Sequence, residues 1–308
     1  MIISVVSTLY KSKKFLNIFL DEILSALKQI NCENYELIFV NDGSPDDSLP
    51  FLIEKKKEIP QIKVLDLSRN FGHHYAMQAG LNYASGDYIF LIDNDLETSP
   101  NVLVQFFNEM QNEVDLDVVY GYQQLRKGGF IERVTGSLFW KLINLISDTK
   151  IPHNILTERL MTKQYVDALL NLKDANLFMG GMMYWIGFNQ KAIEVKKGVR
   201  QGASTYTLKK RLELMLQAIT SFSGKPLEWL FYFGLLISFS SFIFIIYLVI
   251  EKIIYQDKIQ LGWTSIIAIN VFVLGVIATF LGVIGIYIYK IYRQVQGRPN
   301  SIIKRIYE

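Results

Sequence analysis

Asp93-Asn94-Asp95, with Glu97 two residues on, closes an apolar run from Tyr88 to Ile92. Such a run reads as a fully buried strand. Carboxylates at its carboxyl end lie where open α/β sheets place their ligands. Asp93 and Asp95 are two apart, so they project the same way from extended backbone. The pair can hold a hard divalent cation, and the cation can hold a diphosphate; a strand ending in a polar turn is the plainer alternative. Asp42 follows the run Tyr35–Val40, and Asn70 follows Ile62–Leu67 within Ser68-Arg69-Asn70-Phe71-Gly72-His73-His74. One crevice along the carboxyl edge of a sheet would collect all of these. No Gly-x-Gly-x-x-Gly follows the first strand and no Gly-Lys-Ser/Thr occurs, which disfavours dinucleotide and P-loop modes of phosphate binding. A nucleotide here would be held by carboxylates at ribose or base, and by metal at its phosphates.

A second set of residues suits anions. Arg126-Lys127-Gly128-Gly129 is a basic, glycine-rich segment, and Arg133 and Ser137 lie four apart in a helix read through Trp140 and Leu145. Residues four apart share a helix face. That face is either a solvated basic surface or an anion site, because guanidinium geometry suits phosphate. Lys196–Tyr206, which contains Arg200, reads as a mobile basic loop. Phe178–Phe188 sets glycines among methionines and aromatics, as a ligand wall or as tight core packing would.

The elements that must position these residues alternate. Strands near 2–7, 35–40, 62–67, 88–92 and 117–120 are separated by helical patterns over 15–27, 48–58, the stretch up to Ala84, and 100–112. This order predicts an α/β fold with a doubly wound, mostly parallel sheet. The 308 residues suffice for one sizeable domain plus an appendage. The net charge of +3 gives no argument for nucleic acid, and the single cysteine, Cys32, excludes an intramolecular disulfide. Ile2–Val6 is too short and lacks the basic flank of a secretory signal.

Hydrophobic residues make up 50% of the chain, and the excess lies near the C-terminus. Residues 1–206 read as the catalytic-looking domain. Residues 207–228 read as a basic amphipathic helix region suited to an anionic surface, with Lys209, Lys210 and Arg211 among Leu208, Leu212 and Met215. Within 229–308, two uncharged runs, about 230–250 and 266–289, are each long enough to span a bilayer. Two spans make a hairpin with both ends on one side. Lys290, Arg293, Arg298, Lys304 and Arg305 in the tail place that side, and the domain with it, in the cytoplasm. Gly234/Ser238 and Ala278/Gly282 give small faces for helix packing, within the hairpin or in a homo-oligomer.

Taken together, Val40-Asn41-Asp42-Gly43-Ser44, Leu67-Ser68-Arg69-Asn70-Phe71-Gly72, Ile92-Asp93-Asn94-Asp95-Leu96, Ile219-Thr220-Ser221-Phe222-Ser223, Gly262-Trp263 and Gln296-Gly297-Arg298-Pro299 resemble glycosyltransferase family 2. The resemblance extends over essentially the whole chain and is to the polyprenyl-phosphate glycosyltransferase branch. It implies a GT-A fold, a nucleotide-sugar donor (UDP- or GDP-linked), Mg²⁺ or Mn²⁺, and inverting transfer of one sugar to a polyprenyl phosphate. The setting implied is the cytoplasmic face of a bacterial inner membrane, and the products serve cell-surface glycans, including lipopolysaccharide or O-antigen modification. By position, Asp42 with Ser7, Tyr10 and Asn70 is implied to bind the donor. Asp93 and Asp95 are implied to hold metal and donor phosphates, with Glu97 as a further ligand. Arg126, Arg133 and Ser137 are implied to grip the acceptor phosphate, and Arg200 to close over the diphosphate.

The resemblance is incomplete near the sugar. Thr157 stands where relatives carry the Asp of an Asp-Phe-Arg motif, followed by Glu158 and Arg159. Lys11-Ser12 replaces Asn-Glu, and Thr205 replaces a Lys. Thr157 and Arg159 are accordingly the candidates on the catalytic side. A catalytically impaired membrane scaffold that binds nucleotide sugar is one alternative. A processive polysaccharide synthase is another, but it expects more spans and a Gln-x-x-Arg-Trp motif.

Overall fold

The computed structural model describes residues 1–123, 154–196, 224–254 and 262–308. The described residues form an eight-stranded sheet. Its strands are β1 (Ile3–Leu9), β2 (Tyr35–Asn41), β3 (Ile62–Leu67), β4 (Tyr88–Leu91), β5 (Val118–Tyr122), β6 (Ile155–Thr162), β7 (Gln190–Glu194) and β8 (Ile303–Tyr307), in the order β7-β5-β6-β4-β1-β2-β3-β8. β4, β1, β2 and β3 are parallel neighbours. Helices α1 (Leu16–Gln29), α2 (Ser48–Lys55) and α3 (His73–Tyr83) connect them, and α4 (Val102–Asn112) follows β4. The strand order reverses at β1, which opens a crevice at the carboxyl ends.

Successive strand residues feed opposite faces. Val5, Leu37, Phe39 and Phe90 pack with Phe19, Ile23 and Phe106 of α1 and α4. Val6, Ile38, Val40 and Leu91 pack with Ala76, Met77 and Leu81 of α3. Burial on both faces is why these strands appear in the sequence as unbroken apolar runs. The close seat of α3 depends on Gly80, where an added Cβ would lie 2.5 Å from Val6 Cγ1 and 2.9 Å from Val40 Cγ2. Gly80→Ala is therefore expected to lower stability by roughly 1–3 kcal/mol through overpacking, read as a lower thermal midpoint.

The sheet is mostly parallel, as expected, with antiparallel pairings where β6 joins β4 and β5 and where β8 joins β3. β6, β7 and β8 are not among the strands that the pattern predicts. Helices α5 (Lys163–Leu170) and α6 (Met179–Trp185) cover the β5/β6 wing, and Tyr165, Val166, Met179 and Met182 are buried there. The methionines of that stretch are thus packing residues, whereas Gly180 and Gly187 have open space where a Cβ would stand.

The C-terminal region holds α7 (Lys225–Ile254) and α8 (Trp263–Val295), both longer than the runs 230–250 and 266–289. Among the described residues one 24-residue segment, Phe272–Val295, is long and apolar enough to cross a membrane, with mean hydropathy 2.3 over an 18-residue window. Of the expected interfacial region 207–228, only Gly224 onward is described, and Lys225–Glu228 forms the first turn of α7. The expected boundary at 229 needs a correction, because the basic tail is not a separate appendage. Gly297 at φ +59° ends α8, as a left-handed glycine does. β8 then pairs with β3 through Val64↔Tyr307, Leu65↔Ile306 and Asp66↔Arg305. This covers an edge that β3 would otherwise leave unpaired.

Candidate active site

The ends of β1, β2, β3 and β4 bring Thr8, Asp42, Asn70 and Asp93 to one crevice. In β4, Ile89 and Leu91 face α3; by alternation Asp93 falls on the same side. There it meets the first residue of α3: His73 Nε2 lies 3.4 Å from Asp93 Oδ1, and His73 Nδ1 lies 2.9 Å from Thr8 Oγ1. Burial pushes the His73 imidazole below its ordinary pKa, against the pull of the Asp42 and Asp95 carboxylates. A neutral ring with its proton on Nε2 serves both contacts, giving toward Asp93 and accepting from Thr8. Sequence reasoning did not single out His73, and only its place at the end of the Asn70 motif pointed to it.

The loop after β4 is held in a fixed form. The buried Asn94 donates through Nδ2 to Thr8 O at 2.7 Å, which ties the loop to the end of β1. The Glu97 N–H donates to Asp95 Oδ1 at 3.0 Å. Between them Leu96 takes φ +57° while packing against the core. A branched side chain at positive φ is strained, and such strain gathers at functional sites. The Thr98 hydroxyl beyond is buried and makes no hydrogen bond among the described residues.

Asp42 is 3% exposed and its carboxylate is already engaged. Oδ1 accepts from Phe71 N at 2.7 Å and Oδ2 from Gly72 N at 3.0 Å, while Asn70 Nδ2 donates to Asp42 O at 2.9 Å. Asp42 therefore shapes the Asn70–Gly72 loop. A carboxylate has further lone pairs, so this does not use up its capacity to accept from a ligand. Gly43 at φ +60° permits the approach, since a Cβ there would fall 2.7 Å from Asn70 N. Ser44 and Ser48 hydroxyls donate to Asp46 at 2.6 Å each, and with the backbone N–H of Lys13 they hold that carboxyl below its usual range despite burial.

The other predicted residues are distributed unevenly. Tyr10 is 52% exposed at the rim. Ser7 alternates to the α1 side, is 1% exposed, and its Oγ makes no hydrogen bond among the described residues. Leu91 pairs with Arg159 in the antiparallel ladder, so two residues further on, Asp93 comes level with Thr157. Thr157 is half-buried at the mouth of the crevice. Arg159 lies one step beneath, 5% exposed, donating to Thr157 O at 3.1 Å and Leu156 O at 3.0 Å. Burial lowers its pKa, opposed by Tyr165 and Glu158. The structure thus gives Arg159 to the middle of β6. Arg126, Arg133, Ser137 and Arg200 lie outside the described residues.

Among the described residues no group of three or more His, Cys, Asp or Glu side chains is arranged to hold a metal ion. Asp93 and Asp95 at a strand end are a different kind of donor set. Mg²⁺ commonly takes one or two carboxylates and completes its shell with water and substrate phosphates. The residues present fit a cation that arrives with a diphosphate.

The family model of "Glycosyl transferase family 2" matches residues 4–170. An uncharacterized glycosyltransferase of Bacillus subtilis, YkcC, is 38% identical over 277 residues, covering 89% of this chain and 85% of its own. The SfII prophage-derived bactoprenol glucosyl transferase of Shigella flexneri is 31% identical over 304 residues, covering 98% of this chain and 97% of its own. A prophage bactoprenol glucosyl transferase homolog of Escherichia coli is 31% identical over 305 residues, covering 99% of both chains.

Proposed function

The chain belongs to glycosyl transferase family 2 and is a glycosyltransferase, and on that footing we propose that it moves one sugar from a nucleotide sugar to a polyprenyl phosphate. The observation that carries the acceptor is near end-to-end alignment, helices included, with relatives named bactoprenol glucosyl transferase. The donor is a UDP- or GDP-linked hexose, and the reaction inverts the anomeric centre.

In that reaction an acceptor phosphate oxygen attacks the anomeric carbon as the bond to the donor diphosphate breaks, and the diphosphate leaves with the electron pair. With a second pKa near 6, a phosphate monoester is mostly dianionic at pH 7. It needs no general base, which accords with Thr157 in place of a carboxylate. Asp93 and Asp95, with Glu97 nearby, would hold Mg²⁺ or Mn²⁺, which when bound supplies positive charge at the leaving diphosphate. The Asn70–Gly72 loop, shaped by Asp42, lines the donor side. Arg126, Arg133 and Ser137 would grip the acceptor phosphate and Arg200 the diphosphates. His73 orients Asp93. Metal-linked outer-shell partners commonly carry 10–100-fold in affinity, so His73→Ala is expected to weaken Mn²⁺ binding roughly tenfold, measured by electron paramagnetic resonance titration.

The membrane reading has support from chain topology. β8 lies in the same sheet as β1–β4, so the chain between them crosses a bilayer an even number of times. If Phe272–Val295 crosses, one more crossing is required, and α7, with Phe231, Leu235, Phe239 and Ile243 exposed, is suited to it. The proposal is a two-span hairpin in a bacterial cytoplasmic membrane, with domain and C-terminus both cytoplasmic.

The test is purified protein in nanodiscs with undecaprenyl phosphate, Mg²⁺ or Mn²⁺ and a panel of UDP- and GDP-sugars. A glycosylated lipid phosphate plus nucleoside diphosphate is expected with at least one donor. No transfer to the lipid from any donor, in an assay where a relative works, would sink the proposal.

A further inference from the structure

We propose that Gln294 and Asn300, in the segment leading out of α8, are positioning residues for the donor site. The proposal rests on the function given above. The end of α8 is bonded to the chain between α5 and α6: Gln294 accepts from Ala175 N at 2.8 Å and donates to Lys173 O at 2.9 Å, and Arg293 donates to Asn176 Oδ1 at 3.2 Å. That same segment holds the first turn of α3, where Tyr75 donates from its hydroxyl to Ala175 O at 3.1 Å. His74 Nδ1 lies 3.4 Å from Leu177 O, and its ring meets Phe178 edge-on. His73, the residue before it, is the one in contact with Asp93 and Thr8.

A second bracket grips the other side of the same helix and its loop. Asn300 Nδ2 donates to Gln78 Oε1 of α3 at 2.8 Å and to Asp174 O at 2.9 Å. Two residues on, Ile302 O accepts from Ser68 N at 2.9 Å, where β3 gives way to the Asn70 loop. Ser68–Gly72 and the start of α3 are therefore held at both ends by residues 293–302, while Asp42 takes its two amide hydrogen bonds from between. None of the tail side chains needs to touch donor. They fix the backbone on which Phe71, Gly72 and His73 sit. Residues held within about 0.5 Å of productive geometry depend on such support.

The experiment uses the full chain in nanodiscs with Gln294→Ala/Asn300→Ala. The pair is expected to raise donor KM, and the Kd for nucleoside diphosphate with Mn²⁺, roughly tenfold, which is about 1.4 kcal/mol. The polyprenyl phosphate KM and kcat at saturating donor should stay within about twofold. Hydrogen exchange should speed at Ser68–Tyr75 and at β8 in the same protein. Each single substitution carries the same test at smaller amplitude if the double variant does not fold. Faster exchange at β8 with donor KM and nucleotide Kd unchanged overturns the proposal. A wild type that binds nucleotide in this tail-dependent way but glycosylates no lipid phosphate upholds it and removes the function assigned above. A wild type that binds no nucleotide overturns both.

Discussion

Asp95→Asn should cut turnover about 10³-fold and leave the thermal midpoint nearly unchanged. The asparagine keeps an Oδ1 to accept the Glu97 N–H that Asp95 now accepts at 3.0 Å, so the turn at Leu96 survives. What is lost is one negative charge of the pair that would hold the cation. Charge stabilisation by a bound cation is worth several kcal/mol in a transfer of this kind, and each 1.36 kcal/mol is tenfold in rate. Steady-state turnover with saturating donor and lipid, beside a melting curve, measures both quantities. Wild-type turnover in the variant would remove Asp95 from the chemistry, and a collapse of the melt would make its role structural.

Asp42→Asn separates two roles that one residue can play. If its carboxylate served only the nucleoside, the change would raise donor KM and leave stability alone. The carboxylate instead accepts two backbone N–H groups, from Phe71 and Gly72, in a buried position. An asparagine amide must turn its NH₂ toward one of those donors, leaving it unsatisfied. Hydrogen bonds to charged groups are worth roughly 1.5–3 kcal/mol, and an orphaned donor costs about as much. A loss of about 3 kcal/mol in stability is expected together with weaker donor binding, read by thermal melts and nucleotide titration. A variant with unaltered melt but weak donor binding would return Asp42 to a ligand role alone.

The central sheet and the meeting of Asp42, Asn70 and Asp93 were legible because buried parallel strands leave long apolar runs with polar residues at their ends. Three strands were not, each for its own reason. β6 carries Glu158 and Arg159 in its middle, which look like a solvated turn, yet both are buried at 1% and 5% exposure. β7 is half-exposed along its length. β8 reads Ile-Lys-Arg-Ile-Tyr, a basic stretch after a long apolar helix, and nothing local announces that its partner is β3. In the site, paired carboxylates signal themselves by spacing, whereas a histidine at the first position of a helix does not. Arg159 shows the converse. Its place in a motif suggested contact with substrate, but antiparallel register sets it one step below the crevice, bonded to strand carbonyls.

The pairing of β8 with β3 also bears on how the protein is made. β3 is synthesised early and its partner much later, after α7 and α8. Until then β3 has a bare edge, and bare edges recruit foreign strands and aggregate. On the proposed two-span topology the chain must return to the domain's side of the bilayer before β8 can dock, so a hairpin that inserted the wrong number of times would leave the β3 edge open.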